Sequence, residues 1–148
     1  MPMAYLKKSI EYFDDHFKIY PLWLSPMAVY DNDRHIGLIH PLTTEDGSID
    51  ELYVDIGAYG TPRKENFDNS CALPLLENFV AEHHGYQALY AKTTMSREDF
   101  RKMFDHINYD RLRDKLPFCL QAFDEIYDKV SSKGRTSPVE FKKIKRQH

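Results

Sequence analysis

The stretch from Glu51 to Tyr59 constrains the fold more than any other part of this chain. Leu52, Val54, Ile56 and Ala58 alternate with Tyr53, Asp55, Gly57 and Tyr59, the period-two pattern of a strand with two chemically different faces. Gly60-Thr61-Pro62 then ends it, since proline cannot donate to a ladder. A strand with one aliphatic face has to lie in a sheet that another layer covers on that side.

The neighbouring segments supply that layer. Leu6, Ile10, Phe13 and Phe17 form one apolar stripe on a helix expected from about Ala4 to Lys18. Tyr20-Pro21 stops it, Leu22 to Tyr30 reads as a strand, His35 to His40 as a shorter one, and Gly47 marks a loop. A second helix is expected from Asn69 to His84, with Ala72, Leu76, Phe79 and Val80 inward, Pro74 tolerated near the first turn and Gly85 as the stop. Gln87 to Lys92 reads as a strand. Ser96 caps a helix whose third residue is Asp99 and which buries Phe100, Met103, Phe104 and Ile107; short helices are expected over Asp110–Leu116 and Ala122–Val130. The order helix, strand, strand, helix, strand, helix is that of a split β-α-β unit without its first strand. The expected class is therefore α+β: a ferredoxin-like antiparallel sheet with helices on one face, lacking its first strand.

With 148 residues, 42% of them hydrophobic, the chain can build one domain with its own core. The expected organisation is a folded part over residues 1–130 and a basic tail over 131–148. From Gly134 onward Arg135, Lys142, Lys143, Lys145 and Arg146 face only Glu140, a net +4, which leaves −7 for the rest of a chain whose total is −3. Such a tail reads first as a solvated segment, with a membrane-surface or nuclear-import role as the alternative. The overall charge gives no reason to expect a nucleic-acid partner. Cys71 and Cys119 make neither a disulfide framework nor a zinc site. No run is long enough to cross a bilayer, and the first residues lack a signal-peptide pattern.

The polar face of the Glu51–Tyr59 strand carries the functional signal. A solvated sheet face usually bears scattered Lys, Glu and Thr; this one bears Tyr53, Asp55 and Tyr59, with Tyr90 and Lys92 joining it if Gln87–Lys92 enters the same sheet. Large aromatics around one carboxylate suit a surface that covers something, although tyrosine also favours strands for steric reasons alone. Glu82, His83 and His84 are adjacent and point in different directions on a helix, so no metal site is expected. Gly57-Ala58-Tyr59-Gly60 lacks the third glycine of a dinucleotide cradle.

Several stretches resemble the C-terminal part of the delta-24 sterol reductases. Tyr20-Pro21-Leu22-Trp23-Leu24-Ser25-Pro26 is similar to the family's Tyr-Pro-Ile-Trp-Leu-Cys-Pro. The likeness is strongest from Glu51 through Gly60 and continues through Glu77–Val80, His84–Gln87, Leu89–Ala91, Phe100–Asp105, Tyr109–Leu116 and Phe123–Lys129. Asp124 departs from the pattern, standing where a proline usually follows the phenylalanine, and the basic tail is longer than in animal members.

The family is related to vanillyl-alcohol oxidase, in which an N-terminal domain binds FAD and a C-terminal ferredoxin-like cap covers the flavin ring. The resemblance therefore implies a cap without its FAD-binding domain, inactive alone and holding no cofactor itself. In the intact enzyme it implies FAD, NADPH as reductant and a sterol substrate, at the cytosolic side of the endoplasmic reticulum membrane. The proton that such a reduction needs is expected from Tyr59 or Tyr53, with Asp55 orienting it, and Trp23, Tyr86 and Tyr90 are the expected substrate wall. A stand-alone lipid- or protein-binding module, and the cap of a different FAD-linked oxidase, are the alternatives. An open sheet edge left by the missing strand would favour self-association.

Overall fold

A computed structural model describes residues 1–30 and 37–131. The expected central strand is present as β4 (Leu52–Ala58), paired antiparallel with β1 (Leu22–Ala28) so that Trp23 faces Gly57, Ser25 faces Asp55 and Met27 faces Tyr53. On its other edge, β4 receives the start of the chain: Val54 N–H donates to the Met1 carbonyl at 2.8 Å and the Met1 amino group donates to the Val54 carbonyl at 3.0 Å. Both polar groups of Val54 therefore point away from β1. Its partner Pro26 sits at a non-hydrogen-bonded position, where the missing N–H costs no ladder bond. A second, two-stranded hairpin, β2 (Leu42–Thr43) with β3 (Ile49–Asp50), turns at Gly47, whose φ of 81° suits a residue without Cβ.

The aliphatic side of β4 packs inward at Val54, Ile56 and Ala58, whereas Leu52 at its start is exposed and Tyr53 of the other face is buried. Ile56, Ala58 and Leu22 meet Phe13, Phe17 and Ile19, with Phe67, Ala72 and Leu76 completing the cluster. Phe13 comes from α1 (Leu6–His16), and Ala72 and Leu76 from α2 (Asn69–Glu82), which Asp68 caps by accepting from Ser70 N–H. Pro74 lies one turn into α2 rather than in its first turn. A second cluster joins Phe100 of α3 (Arg97–Met103), Phe104, Met95, and Tyr127 and Val130 of α6 (Ile126–Val130). Between α3 and α6 run α4 (Ile107–Lys115) and α5 (Pro117–Ala122). The Ser96 cap is present, its hydroxyl accepting from Asp99 N–H at 3.1 Å.

The α+β class thus holds, with its described strands in two two-stranded sheets. Four expectations are corrected. Gln87–Lys92 is not a strand: Ala91 N–H closes a turn on the Ala88 carbonyl, and the Gln87 amide reaches across to the Lys92 carbonyl at 2.9 Å. Ile107 is exposed rather than buried, because the backbone leaves the α3 helix at Phe104 and restarts as α4 on a new axis. The helix expected over Ala122–Val130 is confined to α6, beginning at Ile126, because Ala122 closes α5 and residues 123–125 are not helical. Of the His35–His40 strand, residues 35 and 36 lie outside the described residues, and Gly37 to His40 is not a strand.

Candidate functional site

Two cavities flank the Tyr53 and Tyr86 rings, which lie nearly parallel with centroids 6.1 Å apart. The larger, about 890 Å³, is bounded by β4, α2 and the 86–92 segment. Its walls include Phe13, Phe17, Ile56, Leu73, Leu76, Phe79, Val80 and Leu89. Five of the six residues singled out in the sequence, Tyr53, Asp55, Tyr59, Tyr86 and Tyr90, also line it, while Trp23 does not. The smaller, about 690 Å³, is lined by more polar groups, among them His40, Thr43, Glu77, Thr94, Asp99 and Lys102.

These tyrosines divide into two groups. Tyr53 is buried, 2% exposed, with its hydroxyl 3.4 Å from the carbonyls of His40 and His84. Tyr86 donates to the His40 carbonyl at 2.8 Å and accepts from the His40 N–H at 3.0 Å. Burial pushes both phenols above the ordinary tyrosine range, because it penalises the phenolate. They form a neutral wall between the cavities, tying the segment before β2 to the region after α2.

Tyr59 and Tyr90 lie at the exposed rim. The Tyr59 hydroxyl, first, and the neighbouring Asp55 charge, second, hold the Tyr90 phenol above its usual value by favouring its neutral form. Gly57 makes this arrangement possible. A Cβ there would lie 2.7 Å from the Tyr59 ring and 3.3 Å from the Trp23 Cβ, so the Tyr59 ring can fold over this position only while it carries no side chain. Tyr59→Phe should lower the Tyr90 titration midpoint towards about 10, and Gly57→Ala should do the same by swinging the exposed Tyr59 ring aside. Residue-resolved NMR titration of the tyrosine rings checks both; an unmoved Tyr90 midpoint would mean that the two hydroxyls do not meet.

Sequence patterning missed two polar clusters. The His40 ring nitrogen Nε2 lies 2.9 Å from the Asp105 carboxylate, across a separation that no local pattern reports. Glu77 is buried on α2 and accepts from Thr93 Oγ1 and Thr94 N–H, each at 2.8 Å, and from Thr94 Oγ1. An acid inside the apolar arc of Leu76, Phe79 and Val80 was the available signal for it. Among the described residues, no group of three His, Cys, Asp or Glu side chains is placed to hold a metal. His83 is buried with Nδ1 2.7 Å from the Phe79 carbonyl, whereas His84 is exposed with φ 53°.

The geometry can be set beside known proteins. The chain is 42% identical over 135 residues to the human Delta(24)-sterol reductase, covering 91% of this chain and 25% of that protein. Identity is 33% over 135 residues to a Caenorhabditis elegans Delta(24)-sterol reductase homolog, covering 91% of this chain and 24% of that one. The Arabidopsis thaliana Delta(24)-sterol reductase aligns with 100% of this chain and 28% of its own length at 28% identity. This chain thus spans about a quarter of the length of the curated relatives it matches. No family model matches it, and no solved structure does.

Proposed function

We propose that this chain, which belongs by homology with the delta(24)-sterol reductases, forms the substrate-side part of an enzyme that saturates a sterol side-chain double bond. The observation that carries the reading is the 890 Å³ cavity walled by hydrocarbon, with a phenol pair and a carboxylate gathered at one side. Its size falls within the range of pockets that bury most of a small ligand, and its few polar groups are grouped rather than scattered. A sterol is almost all hydrocarbon, so the greasy wall of α1, α2 and β4 would hold its skeleton.

An isolated alkene takes up hydride poorly unless a proton reaches the other carbon nearly in step. In this reading FAD, reduced by NADPH, supplies the hydride when bound. The chain's own residues supply the proton and the geometry. Tyr59 is the proposed donor. Tyr90, by donating to the Tyr59 oxygen, shares the charge left there when the proton leaves, and Asp55 holds the pair in place. Tyr53 is less suited, since its hydroxyl is turned to backbone carbonyls in a buried site that disfavours its phenolate. The exposed Trp23, lying beside bare Gly57 and the Tyr59 ring, offers a flat aromatic area that fits the ring end of a flavin. The described residues contain no glycine-rich strand-to-helix turn to cradle a pyrophosphate, so the rest of the cofactor would be held elsewhere.

The test is a fluorescence titration of the chain with a sterol carrying a side-chain double bond, delivered from cyclodextrin. Trp23 is the single tryptophan and lies beside Tyr59, so it reports on the rim. Saturable quenching is expected, weakened at least roughly tenfold by Leu73→Glu, which puts a charge into the cavity. No saturable response, or one indifferent to Leu73→Glu, would remove the sterol pocket. Stoichiometric uptake of FAD by the chain alone, seen as a visible flavin band, would show that it holds the cofactor and is not merely the substrate side.

A further inference from the structure

We infer that the outer edge of β1 pairs antiparallel with the same edge of a second copy of this chain, joining the two β1–β4 sheets into one. One edge of the sheet is already taken, since Met1 and Pro2 run along β4. The other is open. Because Pro26 and Val54 face each other at a non-hydrogen-bonded position, the residues of β1 that bond to β4 are Trp23, Ser25 and Met27. The backbone groups of Leu22, Leu24, Pro26 and Ala28 therefore point outward, and among the described residues nothing bonds to them. Such a row of unpaired groups is a template for another strand, and sheet edges are usually blunted by charge. Here residues 19–30 carry no charge, in a chain of which 29% is charged. The side chains of Trp23 and Leu24 on this strand are 66% and 42% exposed.

The residues of the edge select a copy of themselves. Pro26 has no N–H, so its half of β1 is a poor donor and pairing falls to Leu22 and Leu24. Each of these leucines offers one donor and one acceptor outward. A two-fold axis through Trp23 sets Leu22 against Leu24 of the second copy, and Leu24 against its Leu22. That register uses every outward donor and acceptor of the leucines and leaves Pro26 beyond the paired stretch. No like charges meet across it, a condition that an uncharged strand meets automatically with its own copy. The same axis brings the two Trp23 side chains together at a non-hydrogen-bonded position, with Cα atoms roughly 4.5 Å apart. Within its own sheet the cross-strand neighbour of Trp23 is Gly57, which offers no side chain to pair with. The second copy supplies the partner ring, and cross-strand aromatic pairs stabilise a sheet beyond the area they bury.

The inference does not depend on the sterol reading, and the chain is tested without sterol or flavin. Sedimentation velocity across a concentration series should show monomer giving way to dimer. Trp23 is the single tryptophan, so a Trp–Trp exciton couplet in the circular dichroism spectrum can come only from two copies. It should grow in step with the dimer. Leu24→Pro removes an outward N–H and leaves the β1–β4 ladder intact, because Leu24, like Pro26, sits at a non-hydrogen-bonded position. Leu24→Lys keeps that N–H and sets like charges near the axis. Each should weaken association at least roughly tenfold and abolish the couplet at concentrations where the unsubstituted chain is dimeric. A chain that stays monomeric up to its solubility limit would overturn the inference. So would a dimer that survives both substitutions, since its contact would lie on another surface, such as the exposed apolar side chains of α5. A dimer without the couplet would place Trp23 away from the axis and overturn the register. Capture of a foreign strand by β1 in place of self-association would assign the edge to a different partner.

Discussion

Replacing Phe100 with alanine is expected to lower the unfolding free energy by about 3–5 kcal/mol, a large part of the roughly 5–15 kcal/mol available to a domain. Phe100 is 1% exposed, and its ring meets those of Phe104, Tyr127 and His106 at centroid distances of 4.8, 5.5 and 5.8 Å. Truncation leaves a hole among rigid aromatic neighbours from α3 and α6, which cannot close over it. The same elements are also joined by ion pairs, Arg97 to Glu125 and Asp128 and Arg101 to Glu125, while Arg101 also pairs with Asp110 of α4. These pairs are partly exposed, so Arg97→Ala should cost no more than about 1 kcal/mol. Urea titrations of Phe100→Ala, Phe100→Leu and Arg97→Ala separate the two contributions. Burial dominates if the alanine variant loses several times more than the arginine variant. A Phe100→Ala cost below about 1 kcal/mol would mean that this cluster does not hold α3 to α6.

The periodic elements were legible in the residues because each carries its own pattern. The β4 strand, the α1 helix and the cap at Ser96 all depend on near neighbours and are found, although Leu52 of the alternation and Ile10 of the stripe stay exposed. Gln87–Lys92 failed for the complementary reason. A strand is completed only by a partner, and the 88–91 turn draws this segment onto itself. Ile107 failed because apolar spacing was extended through Phe104, where the helix axis ends.

The candidate site was partly legible on the same grounds. Tyr53, Asp55 and Tyr59 belong to one strand pattern, and alternation placed them on one face; the aromatic character of that face was the signal. It could not reveal that Tyr53 would be drawn inward by the carbonyls of His40 and His84 while Tyr59 stayed at the rim with Tyr90. That difference arises from segments 13 and 31 residues away in sequence. Glu77 and the His40–Asp105 pair are likewise products of tertiary packing, made by groups 16 to 65 residues apart.

Glu77→Ala is the substitution expected to damage stability and ligand binding together. The carboxylate is 4% exposed and is the acceptor for the Thr93 hydroxyl, the Thr94 N–H and the Thr94 hydroxyl. Thr93 is itself almost fully buried, so removing its acceptor strands its hydroxyl, while half-buried Thr94 loses the acceptor of its N–H and hydroxyl. Losses of this kind run at about 1–3 kcal/mol per stranded group, and about 3 kcal/mol is expected here. The functional consequence follows from position. Glu77 lines both cavities and fixes residues 93 and 94, immediately after the segment that carries Tyr86, Leu89 and Tyr90 to the larger one. Releasing that anchor should let the cavity wall move. Glu77→Gln keeps an acceptor for Thr94 N–H, and the threonine hydroxyls can turn to meet its amide, so about half the loss should be recovered. Amide exchange at Thr94 and the Trp23 titration, measured on both variants, read the two effects separately. Fast exchange with unchanged sterol binding would show that Glu77 braces the fold and leaves the pocket wall to other contacts. Protected exchange in the alanine variant would show that the Thr94 N–H has another acceptor, and the anchor would have to be sought elsewhere.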